Sequence, residues 1–123
     1  MMSDTNLQNQ TQNLVQELRR GVIILAVLSQ LHDEQYGYSL MKLLEEKGMQ
    51  IDQGTLYPLL RRMEDQKLLQ SNWRVESSRP RRYYTLSEFG KKVYQEMIIE
   101  WSRIKSTVDN LLRREKENEN ETH

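Results

Sequence analysis

Gly54-Thr55-Leu56-Tyr57-Pro58-Leu59-Leu60-Arg61-Arg62-Met63-Glu64 is the stretch on which the fold turns. Leu56, Leu59, Leu60 and Met63 recur at steps of three, one and three, which places them on one face of a helix and leaves Arg61 and Arg62 on the polar side. Asp52 is a suitable N-cap for this helix. Pro58 complicates that start, because deep in a helix it removes a hydrogen bond and clashes with the preceding turn; a cap at Thr55 would move it into the first turn. Both starts remain open at this point. Upstream, Leu40, Met41, Leu43 and Leu44 form a second apolar helix, opened by Tyr36-Gly37-Tyr38 and stopped at Gly48. Two short helices joined by a tight turn make a helix-turn-helix.

Further out in both directions the pattern completes a domain. Leu14, Leu18, Val22, Leu25 and Leu28, widened by Ile23, Ile24 and Val27, predict a first helix that is buried on more than one side and ends near His32 and Asp33. Residues 1–12, rich in Asn, Gln, Ser and Thr, read as a loose arm. Downstream, Lys67 to Glu76 and Arg81 to Leu86 are strand-like and joined by Ser77-Ser78-Arg79-Pro80, so they predict a hairpin. Tyr38, Tyr84 and Trp73 are assigned to core packing. A last helix opens at Ser87 and carries Val93, Met97, Trp101, Ile104, Val108 and Leu111 on a heptad-like seam. The expected architecture is mainly α: a winged helix-turn-helix of three helices and a two-stranded wing over 13–86, a long C-terminal dimerisation helix over 87–115, and a disordered or frayed tail over 116–123.

Composition narrows the function. The 123-residue chain is about one domain, with no cysteine for disulfides or thiolate metal sites. Only two histidines occur, and no spacing couples a nucleophile to a base, gathers carboxylates as metal ligands or builds a glycine-rich phosphate loop. The reading is therefore a non-enzyme that needs no cofactor. The longest apolar run, Val22 to Leu28, is too short to span a bilayer, which predicts a cytoplasmic protein without a membrane partner. Eighteen basic and eighteen acidic side chains cancel, yet from Gly54 to Lys92 nine basic residues face only four acidic ones.

That local excess has a geometric meaning. A recognition helix fits the major groove of double-stranded DNA while a hairpin wing reaches the backbone or minor groove beside it. Arg61 and Arg62 lie on the helix and Arg79, Arg81 and Arg82 on the wing, where guanidinium groups suit phosphate. The last helix would be about 40 Å long, more than a domain of this size covers from one side. A second copy is the simplest partner, since a two-fold homodimer matches a palindromic site. The neutral net charge keeps open one alternative, a winged-helix protein-interaction module without DNA binding.

Tyr36-Gly37-Tyr38-Ser39-Leu40, the stretch Gly54 to Glu64, and Pro80-Arg81-Arg82-Tyr83-Tyr84-Thr85-Leu86 resemble the PadR family of bacterial transcriptional regulators, with similarity from about Leu18 to Trp101. The resemblance implies a repressor-like winged-helix homodimer of the short subfamily, which has one C-terminal helix. It places Thr55, Tyr57 and Arg61 on the recognition helix near DNA and Arg81, Arg82 and Tyr83 on or beside the wing. Many relatives carry glycine in the wing turn; Ser77-Ser78-Arg79-Pro80 departs from this and implies a longer or stiffer tip. Trp101-Ser102-Arg103-Ile104 is similar to the segment with which some multidrug-responsive members sandwich flat hydrophobic compounds. By that resemblance Met97, Ile98, Trp101 and Ile104 line a pocket for a small aromatic or hydrophobic effector; a close-packed dimer core without a cavity fits the same residues.

Overall fold

The computed structural model describes residues 4–121, with side chains through residue 113. In chain order the elements are α1 (Asp4–Ser29), β1 (Gln35–Tyr36), α2 (Gly37–Glu46), α3 (Gln53–Asp65), β2 (Leu69–Glu76), β3 (Arg79–Leu86) and α4 (Glu88–Glu121). This is a winged helix-turn-helix followed by a long C-terminal helix.

Each helix of the helix-turn-helix forms for a local reason. α2 ends where Gly48 takes φ +96°, a conformation that costs glycine little, and the Met49 amide closes back on the Leu44 carbonyl at 2.8 Å. α3 starts from Asp52, whose extended backbone and carbonyl accept the amides of Thr55 and Leu56 at 3.1 and 3.0 Å. Pro58 therefore lies inside the helix, in its second turn. The carbonyl it leaves without a helical donor belongs to Gly54, at an exposed helix start where water can reach it. Leu56, Leu59, Leu60 and Met63 are all buried, as their spacing requires.

The core sits under α3. Val27, Leu28 and Leu31 at the end of α1 meet Leu40 and Leu44 of α2, the buried face of α3, and Leu69, Tyr84 and Leu86 at the base of the sheet. The Leu31 carbonyl accepts both the Leu86 amide at 2.8 Å and the Thr85 hydroxyl at 3.2 Å, which ties the first helix to the sheet.

The sheet has three antiparallel strands in the order β1-β3-β2, not two. The extra strand is only two residues, Gln35 and Tyr36 opposite Tyr84 and Tyr83, too short to show periodicity. β2 and β3 pair without interruption from Leu69↔Leu86 to Glu76↔Arg79. The wing turn is thus two residues, Ser77 and Ser78, both at positive φ (50° and 70°), as the hairpin turns that match strand twist demand. Arg79 and Pro80 belong to β3, so the tip is shorter than expected. Pro80, opposite Val75, falls at a pair that exchanges no ladder hydrogen bonds, which is why the strand tolerates it.

Several other expectations are corrected. Residues 4–12 are not a loose arm but the start of α1; no proline or glycine interrupts them, and Asp4 in the first turn favours the positive helix end. Only the C-terminal half of α1 is buried, and Leu14 and Leu18 project into solvent, Leu18 at 74% exposure. Residues 116–121 continue α4, so this part of the tail is a helix end and not disordered, whereas 122–123 and 1–3 lie outside the described residues. Tyr84 is buried, but Tyr38 and Trp73 are exposed. Among the described residues no helix is long and apolar enough to cross a membrane.

Candidate nucleic-acid interface

α3 and the hairpin frame an open groove of about 430 Å³ whose lining includes Tyr36, Gly37, Tyr57, Arg61, Trp73, Pro80, Arg81 and Arg82. The helix supplies one wall because its apolar face is spent on the core, which turns Arg61 and Arg62 outward. The Tyr57 ring packs against the start of α2: a Cβ on Gly37 would lie 2.4 Å from it, so a side chain there would displace the ring.

Of the expected residues, Arg61, Arg62 and Arg79 are exposed and make no ion pair or side-chain hydrogen bond among the described residues. Arg81 and Arg82 are half-buried and already engaged. Arg82 donates to Glu64 Oε1 at 2.5 Å and to Ser71 Oγ at 3.0 Å, while Ser71 bonds the other Glu64 oxygen, so the wing is tied to the end of α3. Arg81 lies over the Tyr36 ring at 4.6 Å and 3.6 Å from Glu76. Tyr83 faces the opposite side of the sheet from the groove, where its hydroxyl donates to Glu76 at 2.9 Å and Arg74 covers its ring at 4.5 Å. That bond to a carboxylate holds the Tyr83 phenol above its usual pKa, and burial does the same for Tyr84. Arg74 in turn pairs with Glu34.

At the head of α3, the Thr55 hydroxyl donates to Asp52 Oδ1 at 2.7 Å and is the main cause of a carboxyl pKa below the ordinary value. With its proton committed, Thr55 presents acceptor lone pairs outward. Sequence reasoning overlooked Arg20. This exposed residue of α1 shares a groove of about 260 Å³ with Thr55, Pro58 and Arg62, which puts a further cation beside the recognition helix. Its neighbour Arg19 donates to the Gln50 carbonyl at 3.0 Å. The signal available was an Arg19-Arg20 pair on the polar side of an otherwise apolar stretch.

The expected effector residues all lie on α4, none of them among the residues named in the groove lining. Met97 is half-buried against the core, whereas Ile98, Trp101 and Ile104 are exposed, Trp101 at 40%. Val108, Leu111 and Leu112 continue this apolar face outward. Among the described residues nothing buries these side chains.

Comparison with known proteins agrees with this architecture. The model of the transcriptional regulator PadR-like family matches residues 24–96. A PadR family regulator from Eggerthella lenta superposes with a TM-score of 0.81 at 41% identity, covering 88% of this chain and 96% of that one. A PadR-like regulator from Bacillus cereus gives 0.70 at 31%, covering 78% and 96%. A transcriptional regulator of Mycobacterium tuberculosis is 35% identical over 83 residues, which is 67% of this chain and 78% of the relative. Bacillus subtilis PadR, solved in complex with operator DNA, shares the fold at 22% identity and a TM-score of 0.60, with 63% of this chain and 47% of that one covered. The matched segment runs from the core end of α1 through the wing and into α4: this chain belongs to the PadR-like family of transcriptional regulators.

Proposed function

We propose that two copies of this chain, joined through α4, bind a palindromic operator, and that α3 enters the major groove while the wing meets the adjacent backbone. The observation that carries this reading is the placement of Arg61 and the wing arginines around one groove, with Arg20, Arg62 and Arg79 nearby and without acidic partners among the described residues. Bacillus subtilis PadR, with the same fold, is solved on operator DNA.

The residues divide the work. Arg20, Arg62 and Arg79 contact phosphates, and Arg61 reaches the base edges. Thr55 meets the amino groups of adenine or cytosine, to which its acceptor lone pairs are suited. Arg81 and Arg82 keep donors beyond those that Glu76 and Glu64 occupy and present them to the backbone, while Tyr57 and Tyr83 brace the two walls. DNA binding at a promoter acts as repression by excluding polymerase. The paired Trp101 side chains, with Met97, Ile98 and Ile104, form a site for a flat hydrophobic effector at the two-fold axis, and its occupancy alters the spacing of the two recognition helices.

Titration of a labelled duplex from the promoter upstream of its own coding sequence tests this. With about six phosphate contacts, affinity falls by orders of magnitude between roughly 50 and 200 mM salt. No binding at the lower salt would favour an interaction module that kept only the winged-helix shape.

A further inference from the structure

The wing carries an apolar strip that the core does not use. In the register of β2 and β3, Leu69↔Leu86, Ser71↔Tyr84, Trp73↔Arg82 and Val75↔Pro80 share the face turned toward α3. At the base this face is buried: Leu69, Tyr84 and Leu86 join the core. Beyond Ser71 the hairpin runs past the helix, yet the strip continues with Trp73 at 63% exposure and Val75 at 76%, beside Pro80. Two large apolar side chains on a solvent face of an otherwise polar hairpin mark a contact surface. Its surroundings say what kind. Arg82 stands 5.7 Å from the Trp73 ring, and Arg61 and Arg81 line the same groove.

An apolar strip rimmed by guanidinium groups complements a surface in which apolar faces alternate with anions. The sugar-phosphate wall of a DNA minor groove is such a surface, where deoxyribose carbons lie between phosphates. We propose that Trp73, with Val75 and Pro80, packs against deoxyribose in the minor groove next to the site of α3, an uncharged contact that adds affinity without reading bases. This inference rests on the DNA-binding reading above and assigns a contact residue to it.

The test compares wild type, Trp73→Ala, Trp73→Phe and Arg61→Ala on the promoter duplex and on an unrelated duplex of equal length. Trp73→Ala weakens binding to both about tenfold and leaves the salt dependence unchanged, because no phosphate contact is lost. Trp73→Phe keeps most of the affinity, and Arg61→Ala shifts the preference between the duplexes. The chain has two tryptophans, so saturation with DNA changes the emission of wild type more than that of Trp73→Phe, which retains only Trp101. The exposed position leaves the melting temperature of each Trp73 variant at the wild-type value. If wild type binds while Trp73→Ala binds equally well and DNA leaves the emission unchanged, the inference is overturned and the DNA-binding reading stands. If wild type binds neither duplex, both fall. Higher oligomers of wild type that Trp73→Ala dissolves would assign the strip to a contact between copies instead.

Discussion

Arg82 of the wing and Glu64 of the recognition helix meet at 2.5 Å, with Ser71 bonded to both, so a polar tie joins the two proposed DNA-contacting elements above the core they share. The pair is only partly buried, and it contributes on the order of 0.2 to 1 kcal/mol. Its importance lies in geometry. Removing an acid beside DNA strengthens binding if charge alone decides, but it frees the wing if the tie decides. Glu64→Ala, which keeps a good helix former in α3, is expected to weaken promoter binding about threefold. A gain in affinity on titration would show that the tie does not matter.

Two glycines predict opposite effects on stability. A Cβ on Gly90 would stand 2.0 Å from the Leu68 carbonyl oxygen, which is backbone and has nowhere to go, so Gly90→Ala should cost about 2 to 3 kcal/mol. A Cβ on Gly21 meets nothing within 4 Å inside α1, and Gly21→Ala should gain about 0.5 to 1 kcal/mol. Urea melts of the two variants check this. A loss of stability in Gly21→Ala would mean that α1 is not helical there.

Asp52 links the head of α3 to pH. Thr55 and nearby backbone amides stabilise its carboxylate, so the folded-state pKa lies below that of the unfolded chain. The resulting stability is present above the unfolded value and is lost as pH falls through the folded one, below about pH 4. Wild type should therefore lose more stability than Asp52→Asn between about pH 6 and pH 3. Equal losses in denaturant melts would show that the cap carries no such linkage.

Which parts of this fold were readable follows from how many neighbours a residue must satisfy. Leu56, Leu59, Leu60 and Met63 must all meet one core, so their spacing alone located α3, and Gly48 marked the end of α2 because its backbone needs positive φ. The start of α3 stayed ambiguous because Pro58 argues against Asp52 as the cap unless the exposure of Gly54 is known. Residues 4–12 looked irregular because periodicity reports burial, and that part of α1 buries nothing in one chain. Trp73 looked like core because strand alternation cannot tell where α3 stops covering the sheet. Within the candidate site, the exposed arginines were legible as a charge excess. Their division into free and paired was not, since Glu76 reaches Arg81 only through the register of the hairpin and Glu64 reaches Arg82 only through the packing of the wing on α3.

The outer face of α4 predicts an unusual mutational pattern. Ile104 is exposed in one chain, so Ile104→Asp leaves the fold of each winged-helix unit intact, yet it places a charge in the proposed dimer seam. The variant should sediment as a monomer at micromolar concentration, and its promoter affinity should fall by at least about a hundredfold as the second half-site contact is lost. A dimer that survives the substitution would move the seam elsewhere.

Trp101 sits one helical turn before Ile104 on that face and tests the proposed effector site. A planar aromatic cation titrated into wild type should quench tryptophan emission, and Trp101→Ala should abolish the response, each stacking contact being worth about 0.5 to 1.5 kcal/mol. An identical response from both proteins would place the compound elsewhere.

The claim beneath all of these is that two copies present two recognition helices to one duplex. Light scattering of the protein mixed with its promoter duplex, at low salt, measures this directly. The account predicts a complex containing two chains per duplex, formed from a free protein that is already a dimer. A free monomer, together with a complex of one chain per duplex or no complex at all, would contradict it.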